Sequence, residues 1–505
     1  MESHSLSNFT QGNISFGTGL RDVFMQSLAA KNNLNVNPLH IKPVVSLKNG
    51  AYWGAFNFFE VYDKYYESYY KGQSPDSLDL LFVDNGTENW VTYPDGTGSL
   101  AGQNFRTEVY DPVLLLPIQL KSNYDKVMAK LDKSSFIDYM ITNSFAMNSD
   151  LWRHNIAFAK GKNTAASGGK WHYYLWNMPT IFNFTEVAVP QTPAPYNNPN
   201  ISPCIHFATG GTYYPVGGGA YSGHGNILRK LMNTPDNAGQ TAAAFQNEFR
   251  NRYQDLMNGP FKCENLLKHY ETIYALYAKE MKYHEDPANI GGFFTEVDQW
   301  DTNMVRFRRV LETRCYVNES YFSKPGCFGT PGPYPLTVDV RPAGAGTVKL
   351  NTTVLNSYLW SGNYYRTTLS FKAIPTNTTF AFHHWEFATH TPKDPESMDS
   401  VGVVFAGADN VVAVFTDKSV ELGFEGEGAN IPTGFTPNGD GINDDFRPLG
   451  AGEFAGDYQM TIWNRWGQEV FRSVDPLNGW DGYFKGQQAL TGVYASITTY
   501  KNVYG

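Results

Sequence analysis

Asp150 and Asn155 stand five positions apart in Asn148-Ser-Asp150-Leu-Trp-Arg-His-Asn155, and an aromatic run, Lys170-Trp-His-Tyr-Tyr-Leu-Trp176-Asn177-Met-Pro179, follows. An Asp and an Asn at this spacing, then an acid at the end of a strand about twenty residues later, is the layout of a phosphoryl-transfer site. The Asp takes the acceptor's proton, the Asn holds one metal ion, and the later acid holds the other. Here the later position is Asn177, a neutral amide. An amide lacks the charge that holds magnesium against a triphosphate. Asp-x4-Asn also has a plain structural reading, an Asp that caps a turn and an Asn in a loop. Arg153 and His154, between the two, either neutralise phosphate or form a solvated pair.

Several elements must position these residues. Residues 120–131 and 133–148 read as helices, and the second delivers Asp150 at its C-terminal end. Residues 155–160 and 170–176 read as two strands joined by a Gly/Ser loop. Lys170 opens the strand leading to Asn177 and reads as structural. Upstream, 18–31 has helical spacing. Two β-rich runs then flank Asn49-Gly50, the strongest short hairpin signal. Glu60 closes the second run, and a helical stretch begins at Val61. Asp63 and Asp138 read as helix caps or helix-surface residues. Residues 75–112, polar and Gly/Asp-rich, read as an insertion or loop, as do 184–222. From 224 to 316 the pattern is helical.

The chain has 505 residues, enough for several domains. Its 42% hydrophobic content supports real cores, while 15% aromatic against only 17% charged residues suits a secreted, surface-exposed protein. Net charge is −9, with no Lys/Arg cluster to suit a nucleic-acid groove. No apolar run approaches the length of a membrane span. Residues 1–30 show no signal peptide, and the chain reads as a piece of a longer protein, clipped at both ends. Cys204, Cys263, Cys315 and Cys327 form no CxxC pair. A disulfide between Cys315 and Cys327, across a Pro/Gly loop, is the expected pairing, against four buried thiols. Composition shifts near 328. Alternating runs such as Leu336-Thr-Val-Asp-Val and Val411-Val-Ala-Val-Phe mark an all-β module, and another opens at 429. The expected fold class is multidomain: an α+β region over 1–328, then two small all-β, sandwich-like modules over 333–420 and 429–505.

Pro43-Val-Val with Asn49-Gly-Ala-Tyr-Trp-Gly and Glu60, Phe136-Ile-Asp-Tyr with Asn148-Ser-Asp150 and Asn155, Lys170-Trp with Trp176-Asn177-Met-Pro179, and the helices ending at Arg314 come in the order of the CotH family's landmarks. Residues 15–318 therefore resemble that family, the spore-coat-type secreted protein kinases. The resemblance implies a kinase-like fold with Asp150 as catalytic base. It places Asn155 at metal and nucleotide, Asn177 at an altered metal position, and Glu60 towards the nucleotide pocket. ATP and Mg2+ are the implied cofactors if the site is active. Two departures matter. The family's N-terminal segment with its phosphate-binding lysine is not found, and both acids of its Trp-Asp-x-Asp pattern are replaced, by Asn177 and Pro179. The expected function is a cell-surface CotH-like protein with a degenerate kinase fold, a pseudokinase working as a binding or structural module. The alternative is an active secreted kinase transferring phosphate from ATP to Ser or Thr of a surface protein. Polysaccharide adhesion rests on aromatic content alone.

Residues 335–417, through Leu336-Thr-Val, Ala343-Gly-Ala-Gly-Thr-Val-Lys, Trp385 and Val411-Val-Ala-Val-Phe, resemble the divergent bacterial surface β-repeat, a spacer module. Residues 429–505 carry Phe435-Thr-Pro-Asn-Gly-Asp-Gly-Ile-Asn-Asp444-Asp-Phe446, Ile462-Trp-Asn-Arg-Trp-Gly467, Gly479-Trp-Asp-Gly482 and Leu490-Thr-Gly-Val-Tyr494. They resemble the gliding-motility-associated C-terminal domain, the type B sorting signal of type IX secretion in Bacteroidetes. That implies the type IX machinery as partner and passage through the periplasm to the outer surface or beyond. Asp440, Asn443, Asp444 and Asp445 either hold calcium or build a turn from residues that tolerate left-handed backbone.

Overall fold

The computed structural model describes residues 3–5, 18–83, 98–148, 156–163, 169–178, 181–182, 199–204, 223–234, 242–281, 297–325, 327–394, 396–417, 431–440, 443–449 and 454–502. Helix α1 (Arg21–Lys31) is buried nearly all round, with Val23, Phe24, Met25, Leu28 and Ala29 in the core. Strands β2 (Ile41–Lys48) and β3 (Ala51–Phe59) form the expected hairpin. Asn49 and Gly50 both take positive φ, 52° and 83°, as a two-residue turn matching strand twist requires. Strand β1 (Ser3–Ser5) pairs with the other side of β3. Helix α2 (Lys64–Lys71) starts at Asp63, whose carboxylate accepts from the N–H groups of Tyr65 and Tyr66, and stops at left-handed Gly72.

The second sheet has the order β4-β5-β6, from β4 (Leu78–Val83), β5 (Ile156–Gly161) and β6 (His172–Leu175), and is antiparallel throughout. Strand β4 and the helices after it correct the reading of 75–112 as a loop. Helix α3 (Gly98–Phe105), a π-helical turn over Arg106–Tyr110, and helix α4 (Asp111–Leu115) run on from one another. Ala101, Phe105, Val109 and Val113 are all fully buried. A strict four-residue spacing drifts round a plain α-helix, and a π turn returns it to one face. Helices α5 (Lys121–Met128) and α6 (Lys133–Phe145) follow as expected. Asp138 on α6 is no surface residue: it is 1% exposed and takes a forked pair of hydrogen bonds from Arg252, at 2.6 and 2.8 Å.

Helices α7 (Gly223–Asn233), α8 (Ala242–Asn258), α9 (Cys263–Met281) and α10 (Val297–Phe322) complete this region. Its disulfides are Cys204–Cys327 and Cys263–Cys315, which corrects the expected Cys315–Cys327 bond. Cys315 lies inside α10, and the helix carries on to Phe322, roughly 10 Å further along its axis. Cys327, past the helix end, meets Cys204 instead, and Cys315 meets Cys263 at the start of α9.

The first β module has two four-stranded sheets facing one core. One is ordered β10-β7-β14-β12, from β7 (Tyr334–Arg341), β10 (Trp360–Tyr364), β12 (Phe380–Phe387) and β14 (Asp409–Asp417). The other is β13-β11-β8-β9, from β8 (Gly346–Leu350), β9 (Thr353–Leu355), β11 (Thr367–Pro375) and β13 (Ser400–Phe405). Alternate residues point inward, Leu336, Val338 and Val340 on β7 against Leu369, Phe371 and Ala373 on β11. The module docks on a polar stripe of α8, where Asn247, Asn251, Gln254, Asp255 and Asn258 recur at helical spacing. Asp255, 2% exposed, accepts from Thr352 N and Oγ1, Asn351 Nδ2 and Tyr364 OH. Burial pushes its carboxyl above the usual range, with those donors pulling the other way. Asn258 exchanges two hydrogen bonds with the backbone of Asn363, copying a β-bridge.

The last module centres on the sheet β16-β15-β19, from β15 (Phe454–Trp463), β16 (Glu469–Ser473) and β19 (Ala495–Asn502), beside the short pair β17 (Tyr483–Phe484) and β18 (Gln487–Gln488). Tyr458, Met460, Ile462, Val470 and Trp480 make its small core. Asp444 accepts from the N–H groups of Asn438 and Gly439, building a turn. No helix among the described residues is long and apolar enough to cross a membrane.

Candidate phosphoryl-transfer site

The loop 149–155 leaves α6 and enters β5. Asp150 and Asn155, like Arg153, His154 and Pro179, lie outside the described residues, whereas both ends of the loop are described. At its start, Asn148 is buried, donating from its backbone to Asn143 O and from its side chain to Asn143 Oδ1, at 3.0 and 2.8 Å. At its end, Ile156 is fully buried on β5. The aromatic core fixes the C-terminal end of α6, with Phe145 stacked on Phe261 at 4.2 Å and edge-on to Phe182.

Arg314 anchors the same corner, and sequence reasoning gave it no role beyond ending a helix. Its guanidinium is fully buried and donates to four carbonyls: Ser144 and Phe145 at the end of α6, and Pro199 and Ile201 on a neighbouring segment. A cation at a helix C-terminus meets the negative end of the helix dipole. Burial lowers its pKa to about 10, still far above neutrality.

The end of β6 is held as firmly. Leu175 N donates to Val36 O, and Leu175 O accepts from Gln26 Nε2 and Tyr62 OH, at 2.5 and 2.8 Å. Trp176 packs edge-on against Phe82. Asn177 follows, exposed and with φ at 50°, and Met178 turns back into the core. Asn and Asp are the side chains that best tolerate this left-handed geometry. The amide therefore sits at the end of a rigid strand, where the layout asks for an acid.

Glu60 directly follows β3, two residues before Tyr62, whose hydroxyl donates to Leu175 O at the end of β6. Both Glu60 oxygens are engaged: Oε2 by the N–H and Nδ1 of His40, at 2.9 and 2.8 Å, and Oε1 by Tyr70 OH. Burial alone would raise its pKa, but the bonds from Tyr70 and His40 outweigh it and hold the carboxyl below its ordinary value.

Two buried charge clusters escaped the sequence reading. Glu67 of α2 is fully buried against His172 Nε2, 3.1 Å away, and accepts from Tyr174 OH. Burial would raise its pKa, yet His172, Tyr174 and Lys71 together lower it. A lone Glu inside Lys-Tyr-Tyr-Glu-Ser-Tyr-Tyr-Lys, with a His opening an aromatic strand, was the available signal. The second cluster holds Lys160. Its Nζ lies 2.8 Å from Glu108 and 3.5 Å from Asp79, and Trp171 Nε1 donates to Glu108. Lys160 is at the far end of β5 from the loop, roughly 13 Å from Ile156 by strand rise. It clamps β5 to β4 and to the π-helical turn.

Residues 12–316 match the family model described as CotH kinase protein. This chain belongs to the CotH kinase protein family. The match spans more than half of the CotH protein and takes in every element around the loop. Residues 429–504 match the CHU_C type IX secretion signal domain, which marks the CotH protein for export and for handling by that machinery. No curated protein matches the chain.

Proposed function

We propose that this exported CotH protein uses its kinase-like domain as a binding or structural module and not as a phosphoryl-transfer enzyme. The observation that carries this reading is Asn177, a neutral side chain presented at the end of β6, where the second metal ion needs a carboxylate. Two further facts support it. Pro179 stands where the family pattern has its other acid, and both oxygens of Glu60 are committed to His40 and Tyr70.

One observation favours the alternative, an active kinase that phosphorylates Ser or Thr of a surface protein. Asp150 and Asn155 keep the spacing of base and metal-binding amide. In that case Asp150 takes the hydroxyl proton, and Asn155 with an acid from elsewhere in the chain would hold Mg2+ beside ATP. A titration of the full chain with ATP and Mg2+, scored by phosphate incorporation, separates the two. The proposal expects no Mg2+-dependent transfer above that of the Asp150→Ala variant. Transfer that this substitution abolishes would overturn it.

A further inference from the structure

Strand β12 of the first β module carries His383, His384 and Glu386. Consecutive residues of a strand ordinarily point to opposite faces. Here the pairing of β12 with β14 shifts between Phe382 and His384, and such a bulge re-aims the side chains beside it. The two imidazoles come out together. Their Nδ1 atoms lie 2.6 Å apart and the rings meet edge to face. Behind them, Glu386 Oε1 stands 3.6 Å from His384 Nε2, and Arg341 pairs with the other Glu386 oxygen. Trp385, between His384 and Glu386 in sequence, points into the core and is fully buried, which fixes the strand beneath the pair.

We propose that His383 and His384 form a two-nitrogen site for a divalent transition metal, with Cu2+ the cation it fits best. Imidazole nitrogens suit copper, nickel and zinc, and exclude magnesium and calcium, which want oxygen. Separation then sets copper and nickel apart from zinc, and the ordinary affinity order places copper above nickel. Two nitrogens each about 2.0 Å from a metal are about 2.8 Å apart when adjacent in a square plane, and about 3.3 Å apart in a tetrahedron. The observed spacing reaches the first by a small ring rotation, and the second needs more than twice that opening. A tetragonal Cu2+ site is the nearer geometry.

The proton arrangement agrees. A metal needs the lone pairs of both Nδ1 atoms. At their present spacing one Nδ1 donates to the other, so only one ring already offers its lone pair. The carboxylate of Glu386 stands 3.6 Å from His384 Nε2, close enough for a small ring rotation to let it accept from an N–H there and leave Nδ1 for the metal. Carboxylates orient metal-binding histidines in this way. His383 is exposed, so its Nε2 faces solvent and can carry the ring's N–H when Nδ1 meets a metal. Among the described residues no third His, Cys, Asp or Glu completes a set, and water fills the remaining positions. The site is built from residues of the first β module alone and does not rest on the reading of Asp150 and Asn155.

The test is a Cu2+ titration of the full chain near neutral pH, with electron paramagnetic resonance of the first equivalent. The expected spectrum shows two equatorial nitrogens. The sequence has 11 histidines, so location is decided by variants. H383Q and H384Q should each remove the two-nitrogen signal and weaken Cu2+ binding at least tenfold, and Glu386→Gln should weaken it about tenfold by removing the carboxylate that accepts from His384. Thermal melts of the same variants check that the module stays folded. A two-nitrogen signal that survives in the H383Q/H384Q double variant overturns the proposal, as does a wild-type chain that retains no Cu2+.

Discussion

At Asn177 the backbone and the side chain set separate demands. The left-handed φ asks for Asn, Asp or Gly; the chemistry of the layout asks for Asp. Asn177→Asp should therefore leave stability within about 0.5 kcal/mol, because the position is exposed and both side chains suit the turn. Asn177→Val should cost roughly 1–2 kcal/mol, since a β-branched residue clashes there. Urea denaturation of both variants measures this, and a large loss in Asn177→Asp would mean the amide holds the fold. Glu67 carries a pH signature. Its folded pKa is lowered, so its stabilising contribution is fully present above the ordinary carboxylate value. It is lost as pH falls through the folded one. Glu67→Gln should flatten the acid side of the stability profile, with stabilities converging below that window. An unchanged profile would remove Glu67 from the account. Asn177 was legible in sequence because its neighbours fix its place in a pattern. Glu67 and Arg314 were not, because their roles depend on which distant carbonyls and rings meet them.

Helix α8 shows how an element's pattern can be visible and its meaning hidden. Its apolar face, Phe245, Phe249, Tyr253 and Leu256, is buried in the kinase-like core. Its polar face looks like any solvated stripe. The structure covers that stripe with the β8–β9 and β10–β11 turns, whose backbone groups meet each amide in turn. A polar face that binds backbone is indistinguishable in sequence from one that binds water. Helix α3 was hidden for another reason, since its few apolar residues, Leu100, Ala101 and Phe105, sit among Gly, Ser, Gln and Asn. Hairpin β2–β3, by contrast, was fully legible, since Asn-Gly specifies its turn chemically. Asp255 is the centre of the α8 contact. Asp255→Ala removes four hydrogen bonds and strands the buried hydroxyl of Tyr364, with donors on Asn351 and Thr352 also left unpaired, a loss of roughly 3 kcal/mol. It should also split unfolding, with the β module melting before the kinase-like region, as seen by calorimetry. A single unshifted transition would show that the stripe contributes nothing to the docking.

Over the whole molecule, the two β modules stand in different relations to the kinase-like region. The first shares a buried polar interface with α8, and Arg252 joins it to the site: one guanidinium bonds both Thr352 and Asp138, and Asp138 lies on the helix that delivers loop 149–155. The last module is built round its own small core and carries the secretion signal. Export and folding should therefore separate. Deleting 429–505 should leave the calorimetric unfolding of the remainder within a few degrees of the full chain, because no residue of the other two cores is removed. The same deletion should stop export and retain the protein in the periplasm, read by fractionation. A remainder that unfolds far below the full chain would mean that the signal module also braces the fold. Unchanged secretion would show that the export address lies elsewhere. The two disulfides fit the exported destination, since such bonds persist in oxidising compartments. Both lie wholly within the region that the deletion keeps, so they should form in the retained protein as well.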